Sequence, residues 1–345
     1  MSREIIPSTM RALNLSEYQS GIPRALTVIE KPVPHPGPGQ VLVRIEASPC
    51  NPSDLMFLQG RYNVVKTLPC VPGFEGGGRV VASGGGLMGR MLMGRRVACG
   101  GQGDSDGTWA EYFLAEAKSC LPLKKNVPME QGACMIVNPL TAVGLLDTAR
   151  SYNKSVGGGR ALVQSAAASQ LGRMVIKLAR TAGFETINIV RREEQAELLR
   201  RMGARHVLDE NDSEFYNKLA ELSADLKATT ALDPIAGANT GRLMKLLPDK
   251  SNVVVYGSLS GEPAGDISAS QLSARGKIVS GFHLARWIQT RGMIYVTRAA
   301  GRMQKLMAKG EIKTEIRRRA KFEDVREALA EYAENMTAGK VLIVP

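Results

Sequence analysis

The spacing of apolar residues along the chain changes near residue 128. Before this point, short apolar runs at residues 25–29, 41–45, 78–82 and 109–114 are separated by glycine and proline, a pattern typical of a β-rich domain. After it, apolar runs alternate with helical patterns, and the runs lie at residues 161–164, 187–190, 206–208, 229–232, 252–256 and 277–281. Six strands alternating with helices predict an α/β domain with a doubly wound parallel sheet.

The end of the chain predicts a return to the first domain. A helical pattern at residues 322–335 is followed by an apolar run at 340–344, which we expect to pair in the β-rich domain. We therefore predict two domains, and a chain of 345 residues is long enough to form two separate cores. The first comprises residues 1–127 and 286–345, and the second comprises residues 128–285.

Composition excludes several classes of protein. The five cysteines are scattered without a C-x-x-C pair, which argues against structural zinc and a disulfide scaffold and favours the cytoplasm. The three histidines leave little material for a metal site. No apolar run approaches the about 20 residues of a membrane span, and the N-terminus has no signal-type apolar segment. We therefore expect no metal and no membrane partner.

The formal charge of +12 indicates anionic partners. Nucleic acid is one candidate, and a cofactor and substrate rich in phosphate are another. The densest basic run, residues 317–321, is not accompanied by the aromatic signature of RNA-binding domains. We interpret it as a solvated surface that helps to attract an acidic substrate, and we do not expect nucleic acid to bind.

The segment from residue 160 to residue 192 predicts a dinucleotide site. A strand, a turn of small residues and a helix follow one another, and helix N-termini of this kind bind pyrophosphate. The glycine fingerprint G-x-G-x-x-G is reduced here to Ala167-x-Ser169-x-x-Gly172, which is also compatible with a βαβ unit that binds nothing. Arg191 and Arg192 follow the second strand, where an NAD site would place a carboxylate, and they favour the 2′-phosphate of NADP.

The domain order resembles that of the medium-chain dehydrogenase/reductase superfamily over essentially the whole chain. The resemblance implies a GroES-like β-rich catalytic domain with an inserted Rossmann domain. Its zinc enzymes place a ligand cysteine three residues before an aspartate and a ligand histidine in a G-H-E turn. This chain has Asn51 before Asp54 and Phe74 in the turn Gly73-Phe74-Glu75. Neither Asn51 nor Phe74 can replace a thiolate or an imidazole as a zinc ligand, so we predict zinc-independent chemistry.

Four segments resemble the 2-enoyl thioester reductases of fatty-acid synthesis. They are residues 51–62, 137–142, 187–191 and 281–287, and they occur in the family's order. The resemblance implies that Tyr62 protonates the α-carbon after hydride transfer to the β-carbon, a suitable role for a neutral phenol. Asn51 would orient the cofactor or the substrate carbonyl. The alternative is that Asn51 only forms a turn before Pro52. Asn63 and His283 depart from the family pattern near the predicted substrate channel.

The same resemblance implies which residues contact NADPH. They lie at the start of the helix near residue 138, in the pyrophosphate turn, at the 2′-phosphate, after the fifth and sixth strands and near the C-terminus. They are Asn138, Thr141, Ala168, Ser169, Gln170, Leu171, Gly172, Arg191, Arg192, Tyr256, Gly257, Ser258, Leu259, Phe282, His283, Leu284 and Lys340. For Lys340 a solvated lysine before the last strand is an equal alternative, and His283 alone is more typical of a packed or exposed histidine than of an acid.

These observations predict an NADPH-dependent reductase of activated C=C bonds, with enoyl thioesters on CoA or a carrier protein as substrates. The alternative within the superfamily is a quinone or small-enone reductase. A third hypothesis, a nucleotide-sensing or nucleic-acid-binding protein with vestigial chemistry, draws on the reduced glycine motif and the charge. From the resemblance we expect a homodimer in which the sixth strand, residues 277–281, pairs with its symmetry mate.

Overall fold

The computed structural model describes residues 5–101, 103 and 105–345. The strands in chain order are β1 Thr9–Leu15, β2 Leu26–Pro32, β3 Gln40–Pro49, β4 Glu75–Ser83, β5 Arg96–Gly100, β6 Tyr112–Glu116, β7 Leu121–Pro122, β8 Ala161–Gln164, β9 Glu185–Val190, β10 His206–Asp209, β11 Thr230–Asp233, β12 Asn252–Val255, β13 Ile278–Gly281, β14 Ile316–Ala320 and β15 Lys340–Ile343.

The α-helices fill the connections after most strands of the second half and some of the first. They are α1 Pro52–Leu58, α2 Leu87–Leu92, α3 Met129–Ala133, α4 Val137–Ser155, α5 Gln170–Thr181, α6 Glu193–Arg201, α7 Phe215–Asp225, α8 Ala238–Leu246, α9 Ala269–Ser273, α10 Leu284–Ala308 and α11 Val325–Glu334. Short 3₁₀ helices cover Ala117–Ser119 and Phe322–Asp324. No helix in the described ranges is long and apolar enough to cross a membrane.

The chain groups into two compact units. The first comprises Met1–Pro139 and Thr297–Pro345, and the second comprises Leu140–Val296. These limits lie further along the chain than the boundaries predicted after residues 127 and 285. One limit lies within α4 and the other within the part of α10 that follows its interruption at Gly292, so neither limit coincides with the end of a helix.

The first unit is built on a mixed sheet with the strand order β14-β15-β3-β4-β5-β7, to which β6 adds by pairing with β3. The C-terminal strand β15 pairs with β3 antiparallel, with Leu342 opposite Pro49, as predicted for a chain that returns to its first domain. Below the sheet lies a core that includes Leu13, Phe57 and Trp109. This sheet positions the start of α1 and the turn before β4, which carry the candidate catalytic residues.

The second unit contains a parallel sheet with the strand order β10-β9-β8-β11-β12-β13. This order corresponds to 3-2-1-4-5-6 and confirms the predicted doubly wound Rossmann fold. Its central strands β8 and β11 are buried along their whole length, because helices cover both faces. The order reverses between β8 and β11, and ligands of such sheets bind at the carboxyl ends of the strands at this position.

Candidate active site

The predicted pyrophosphate turn connects β8 with α5. Ser169 is the N-cap of α5, and its Oγ accepts a hydrogen bond from the Gly172 N–H at 3.1 Å. Ala166 takes the left-handed conformation with φ of 47°, so an alanine rather than a glycine makes the sharp bend. The turn therefore has the strand–turn–helix geometry of a phosphate site, although two of the three fingerprint glycines are absent.

Gly172 is required by close packing. A Cβ atom built at this position would lie 2.4 Å from the carbonyl oxygen of Ala167, a distance no side chain can accept. The first turn of α5 thus rests directly on the small-residue turn, which brings the N-terminus of the helix to the end of β8. Of the three fingerprint positions, the one that retains glycine is the one where backbone contact excludes a side chain.

Two buried amides support the turn from below. Gln164 Nε2 donates to the Gly172 carbonyl at 3.2 Å and to Asn188 Oδ1 at 2.8 Å. Asn188 Nδ2 donates in turn to the His206 carbonyl at 2.8 Å. The pair therefore ties β8, β9, β10 and α5 together. Sequence reasoning did not assign this role, although polar residues inside two apolar strand runs were the available signal.

Arg191 and Arg192 follow the end of β9 and are exposed. The Arg191 side chain is 74% exposed, and its Nε lies 3.9 Å from Glu210 Oε1, a loose ion pair. Glu210 is held more closely by Arg242, at 2.6 Å. The positive charge of Arg191 is therefore presented to solvent at the position where a 2′-phosphate is expected, which fits NADPH.

The loops after β11 and β12 lie against each other at the same edge of the sheet. Asp233 is buried and accepts hydrogen bonds from the Ile235 N–H at 2.9 Å and from Thr240 Oγ1 at 2.7 Å. The Tyr256 N–H donates to the Asp233 carbonyl at 3.0 Å. A Cβ at Gly257 would lie 2.7 Å from the Pro234 carbonyl oxygen. Burial raises the pKa of the Tyr256 hydroxyl, and the nearby charge of Asp233 raises this pKa further. Ser258 and Leu259 continue this fixed loop, with Leu259 exposed.

The segment after β13 is also fixed at this edge. The Phe282 N–H donates to the Val255 carbonyl at 2.9 Å, and the Phe282 ring packs on Gly144 of α4. His283 and Leu284 are half-buried, and Thr141 is buried on α4. The second unit thus brings the predicted turn residues and the loops after β9, β12 and β13 to the carboxyl ends of its strands.

Asn51 is buried at the start of α1 in the first unit. It is 1% exposed, and both polar atoms of its side chain are used within the protein. Its Oδ1 accepts a hydrogen bond from Lys340 Nζ, and its Nδ2 donates to Glu75 Oε1 at 3.0 Å. The amide therefore links a buried cation to a buried carboxylate. The structure gives Asn51 a positioning role, and its direct contact with substrate or cofactor stays a prediction.

Lys340 is 1% exposed, which excludes the solvated lysine considered as an alternative. Besides Asn51, its Nζ donates to the Cys50 carbonyl at 3.2 Å. Its direct contact with NADPH stays a prediction. What the structure shows is that the first residue of β15 supplies positive charge to the interior beneath α1.

Two buried carboxylates complete this cluster. Asp54 accepts hydrogen bonds from the Asn51 N–H at 2.8 Å and from the Phe74 N–H at 3.0 Å. Glu75 Oε2 accepts from the N–H groups of Ile136 and Val137 at 3.0 and 2.9 Å, at the start of α4 near Asn138. Burial raises the pKa of Asp54 to about 7 and raises the pKa of Glu75, while Lys340 acts in the opposite direction on both.

Tyr62 lies against Phe74, with ring centroids 5.3 Å apart and ring planes 37° apart. Phe74 in turn packs on Phe57 at 5.5 Å. Because Asp54 binds the backbone N–H groups of both Asn51 and Phe74, a single carboxylate fixes the two residues that stand at the metal-ligand positions of zinc relatives. Tyr62 is half-buried on this support.

The donor set does not fit zinc. The Asn51 oxygen is occupied by Lys340, Phe74 has no ligand atom, and no group of three histidine, cysteine or acidic residues suited to a metal is found among the residues that the structure describes. Asn51 and Phe74 therefore cannot hold a catalytic zinc ion.

Comparisons with known proteins agree with the fold. Residues 37–125 match the family described as "Alcohol dehydrogenase GroES-like domain", and residues 171–297 match "Zinc-binding dehydrogenase". The chain is 30% identical over 266 residues to an enoyl-[acyl-carrier-protein] reductase, mitochondrial, of Caenorhabditis elegans, covering 76% of this chain and 74% of that protein. It is 28% identical to the rat synaptic vesicle membrane protein VAT-1 homolog, covering 90% of this chain and 78% of that protein.

A solved structure is similar over its full length. It is described as a "putative NADPH:quinone reductase" from Mesorhizobium loti, is 33% identical, covers 99% of this chain and 100% of its own, and has a TM-score of 0.86. An enoyl thioester reductase from Candida tropicalis, 20% identical with a TM-score of 0.80, shares the fold.

Proposed function

The chain belongs to the medium-chain dehydrogenase/reductase superfamily, and we propose that it uses NADPH to reduce the activated C=C bond of a trans-2-enoyl thioester. It is an oxidoreductase of the pyridine-nucleotide-dependent type, without the zinc ligands of the alcohol dehydrogenases. The choice of NADPH follows from Arg191 and Arg192, which present positive charge after β9.

The observation that carries the proposed chemistry is the position of Tyr62. Its ring packs at a tilt against Phe74, the residue that stands where zinc relatives hold a histidine ligand. A phenol at this place offers a proton where those relatives would offer a metal ion. When bound, NADPH supplies a hydride to the β-carbon. Tyr62 then donates a hydrogen bond to the developing negative charge and transfers its proton to the α-carbon.

The cluster around Asn51 has a supporting role in this proposal. Its hydrogen bonds to Lys340 and Glu75 fix the start of α1, and Asp54 fixes both this start and the backbone of Phe74. The support under the Tyr62 ring is therefore rigid before substrate binds. Rigid support of this kind contributes to catalysis by holding the proton donor in place.

The second candidate is an NADPH:quinone or small-enone reductase. It is favoured by the similarity to the Mesorhizobium loti protein, which covers both chains almost completely. We prefer the enoyl thioester because its reduction requires an acid that protonates the α-carbon, the role proposed for Tyr62. Reduction of a quinone requires no acid that protonates carbon.

The experiment that separates these functions is NADPH consumption with crotonyl-CoA and, separately, with a quinone. We expect kcat/KM to be higher for crotonyl-CoA than for the quinone. Turnover of quinone alone would assign the second function. Tight binding of NADPH without turnover of any activated alkene would instead favour a nucleotide-sensing protein.

We also propose a homodimer formed through β13. This strand ends the parallel sheet in the described chain, and Ile278 on it is exposed, so its free edge is available to a symmetry mate. Sedimentation equilibrium is expected to give twice the chain mass, and Ile278→Lys is expected to shift the protein toward the monomer. A monomeric wild type would contradict the proposal.

A further inference from the structure

Helix α2 leaves a group of large apolar side chains in contact with solvent. Leu87 is 79% exposed and Met91 is 57% exposed, and Met88 and Met93 are exposed beside them. We call these four residues the α2 patch. Only Leu92 of this helix is buried among apolar neighbours, in the cluster that contains Val80. Exposed apolar groups gathered on one short element mark interaction sites more often than scattered ones do.

Basic side chains are interleaved with this patch. Arg90 and Arg95 are exposed, and neither has an ion-pair partner within the part of the chain that the structure describes. Residues 84–96 include no aspartate or glutamate. The α2 patch is therefore apolar and positively charged at once, a combination that complements an anionic lipid surface.

The turns on both sides of α2 face open space. Gly85, Gly86 and Gly94 have φ values of 100°, 80° and 69°, and a Cβ atom at each would meet no atom within 4 Å. The helix is therefore flanked by uncovered backbone, and its exposed side chains can approach a flat surface without obstruction from either turn.

The sequence led us to expect no membrane partner, because it contains no apolar run long enough to span a bilayer. We propose instead that the α2 patch docks this protein on the surface of an anionic membrane without crossing it. Leu87 and the three methionines enter the boundary between headgroups and acyl chains, while Arg90 and Arg95 bind the lipid phosphates and carboxylates. A bilayer suits this patch better than a protein partner does. Four side chains are too few for a stable protein interface, which covers about 800 Å² on each partner, whereas a bilayer offers an apolar medium to a small protrusion.

The test is cosedimentation of the full chain with vesicles of phosphatidylcholine alone and with vesicles that also contain phosphatidylserine. We expect binding to the anionic vesicles and little binding to the neutral ones. Leu87→Ser with Met91→Ser, and separately Arg90→Gln with Arg95→Gln, are each expected to lower the partition coefficient about tenfold or more. The matched control is Tyr216→Ser, which removes an exposed apolar side chain from α7 and is expected to change nothing.

The proposal fails if the wild type does not sediment with anionic vesicles, or if both double variants bind as the wild type does. It also fails if the α2 variants abolish a concentration-dependent self-association that occurs without vesicles, because the occupant would then be a second copy of the chain. The substituted side chains are exposed, so NADPH affinity and the urea midpoint are expected to stay unchanged, which separates lost docking from lost folding.

Discussion

Lys340 is a lysine buried within a cluster of polar and charged side chains. Its ammonium lies in the interior of the first unit, bound to Asn51 and to the Cys50 carbonyl, with Asp54 and Glu75 as the nearby carboxylates. Desolvation of this lysine is offset by hydrogen bonds and by the two acids. Removing one charged member of such a cluster leaves the others unbalanced in a medium of low dielectric constant.

We therefore expect Lys340→Met to lower the free energy of unfolding by about 3–5 kcal/mol. Urea denaturation followed by circular dichroism measures this loss. The matched control is Lys309→Met, at an exposed ion pair with Glu311, for which a change of at most about 0.5 kcal/mol is expected. Equal effects of the two substitutions would show that the buried cluster does not stabilise the fold.

Arg191 carries the cofactor preference in this proposal. Arg191→Asp is expected to weaken NADPH binding about a hundredfold or more and to change NADH binding little, because the substitution replaces attraction to the 2′-phosphate by repulsion. Titration of cofactor fluorescence measures both dissociation constants. Arg205→Asp is the control, since Arg205 is equally exposed but pairs with Glu185 elsewhere in the unit. Equal losses for NADPH and NADH in the Arg191 variant would refute the assignment.

At this scale the sequence predicted some features and missed others. The place of Arg191 after a strand could be predicted, because the change from apolar to charged residues marks the end of that strand. Its contact with a 2′-phosphate stays a prediction. The burial of Lys340 could not be predicted, because its partners Asn51 and Glu75 lie near the other end of the chain. Only the pairing of β15 with β3 brings them together. The sequence predicted that the last strand returns to the first domain, but it did not predict β3 as its neighbour or the register of the pairing.

In the proposed function α5 is the helix whose N-terminus binds the cofactor, and the small size of Gly172 allows this helix to pack closely on the turn. Gly172→Ala places a methyl group 2.4 Å from the Ala167 carbonyl oxygen. We expect the helix to shift outward, at a cost of about 1–3 kcal/mol in stability and with NADPH binding weakened about tenfold or more. Thermal or urea unfolding and cofactor titration measure the two effects.

A matched substitution tests whether the close contact is the cause. Gly301 lies within α10, and a Cβ there would meet no atom within 4 Å. Gly301→Ala is expected to leave stability unchanged or raise it by up to about 1 kcal/mol, because alanine favours the helix. If Gly172→Ala behaved in the same way, the small-residue turn would not depend on the backbone contact.

The elements of the second unit were predicted more completely than those of the first. The six strands follow apolar runs between helical patterns, which predicted a parallel sheet, whereas their order in the sheet is known only from the structure. Helix α2 was not predicted, since residues 84–94 are rich in glycine and have no helical periodicity. The interruption of α10 at Gly292, with φ of 74°, was also missed, because one glycine inside a long helical pattern does not specify a break.

For the whole molecule, the sequence predicted the fold class and the superfamily, and both are confirmed by the sheet topology and the relatives. The limits of the two units were less predictable, because helices continue through them. The formal charge of +12 agrees with an anionic cofactor and substrate, but it does not choose the acceptor of the hydride. In this proposal the assignment of an enoyl thioester as the hydride acceptor depends on the role of the Tyr62 phenol.

The most direct measurement is NADPH oxidation with crotonyl-CoA by the wild type and by Tyr62→Phe, with Tyr216→Phe as the control. Phenylalanine keeps the ring that packs on Phe74 and removes only the hydroxyl group. We expect kcat to fall about a hundredfold or more in Tyr62→Phe, with NADPH affinity and stability unchanged, and to remain at the wild-type value in the control. Wild-type kcat in Tyr62→Phe, or turnover of a quinone alone that the substitution does not affect, would contradict a Tyr62-dependent enoyl thioester reductase.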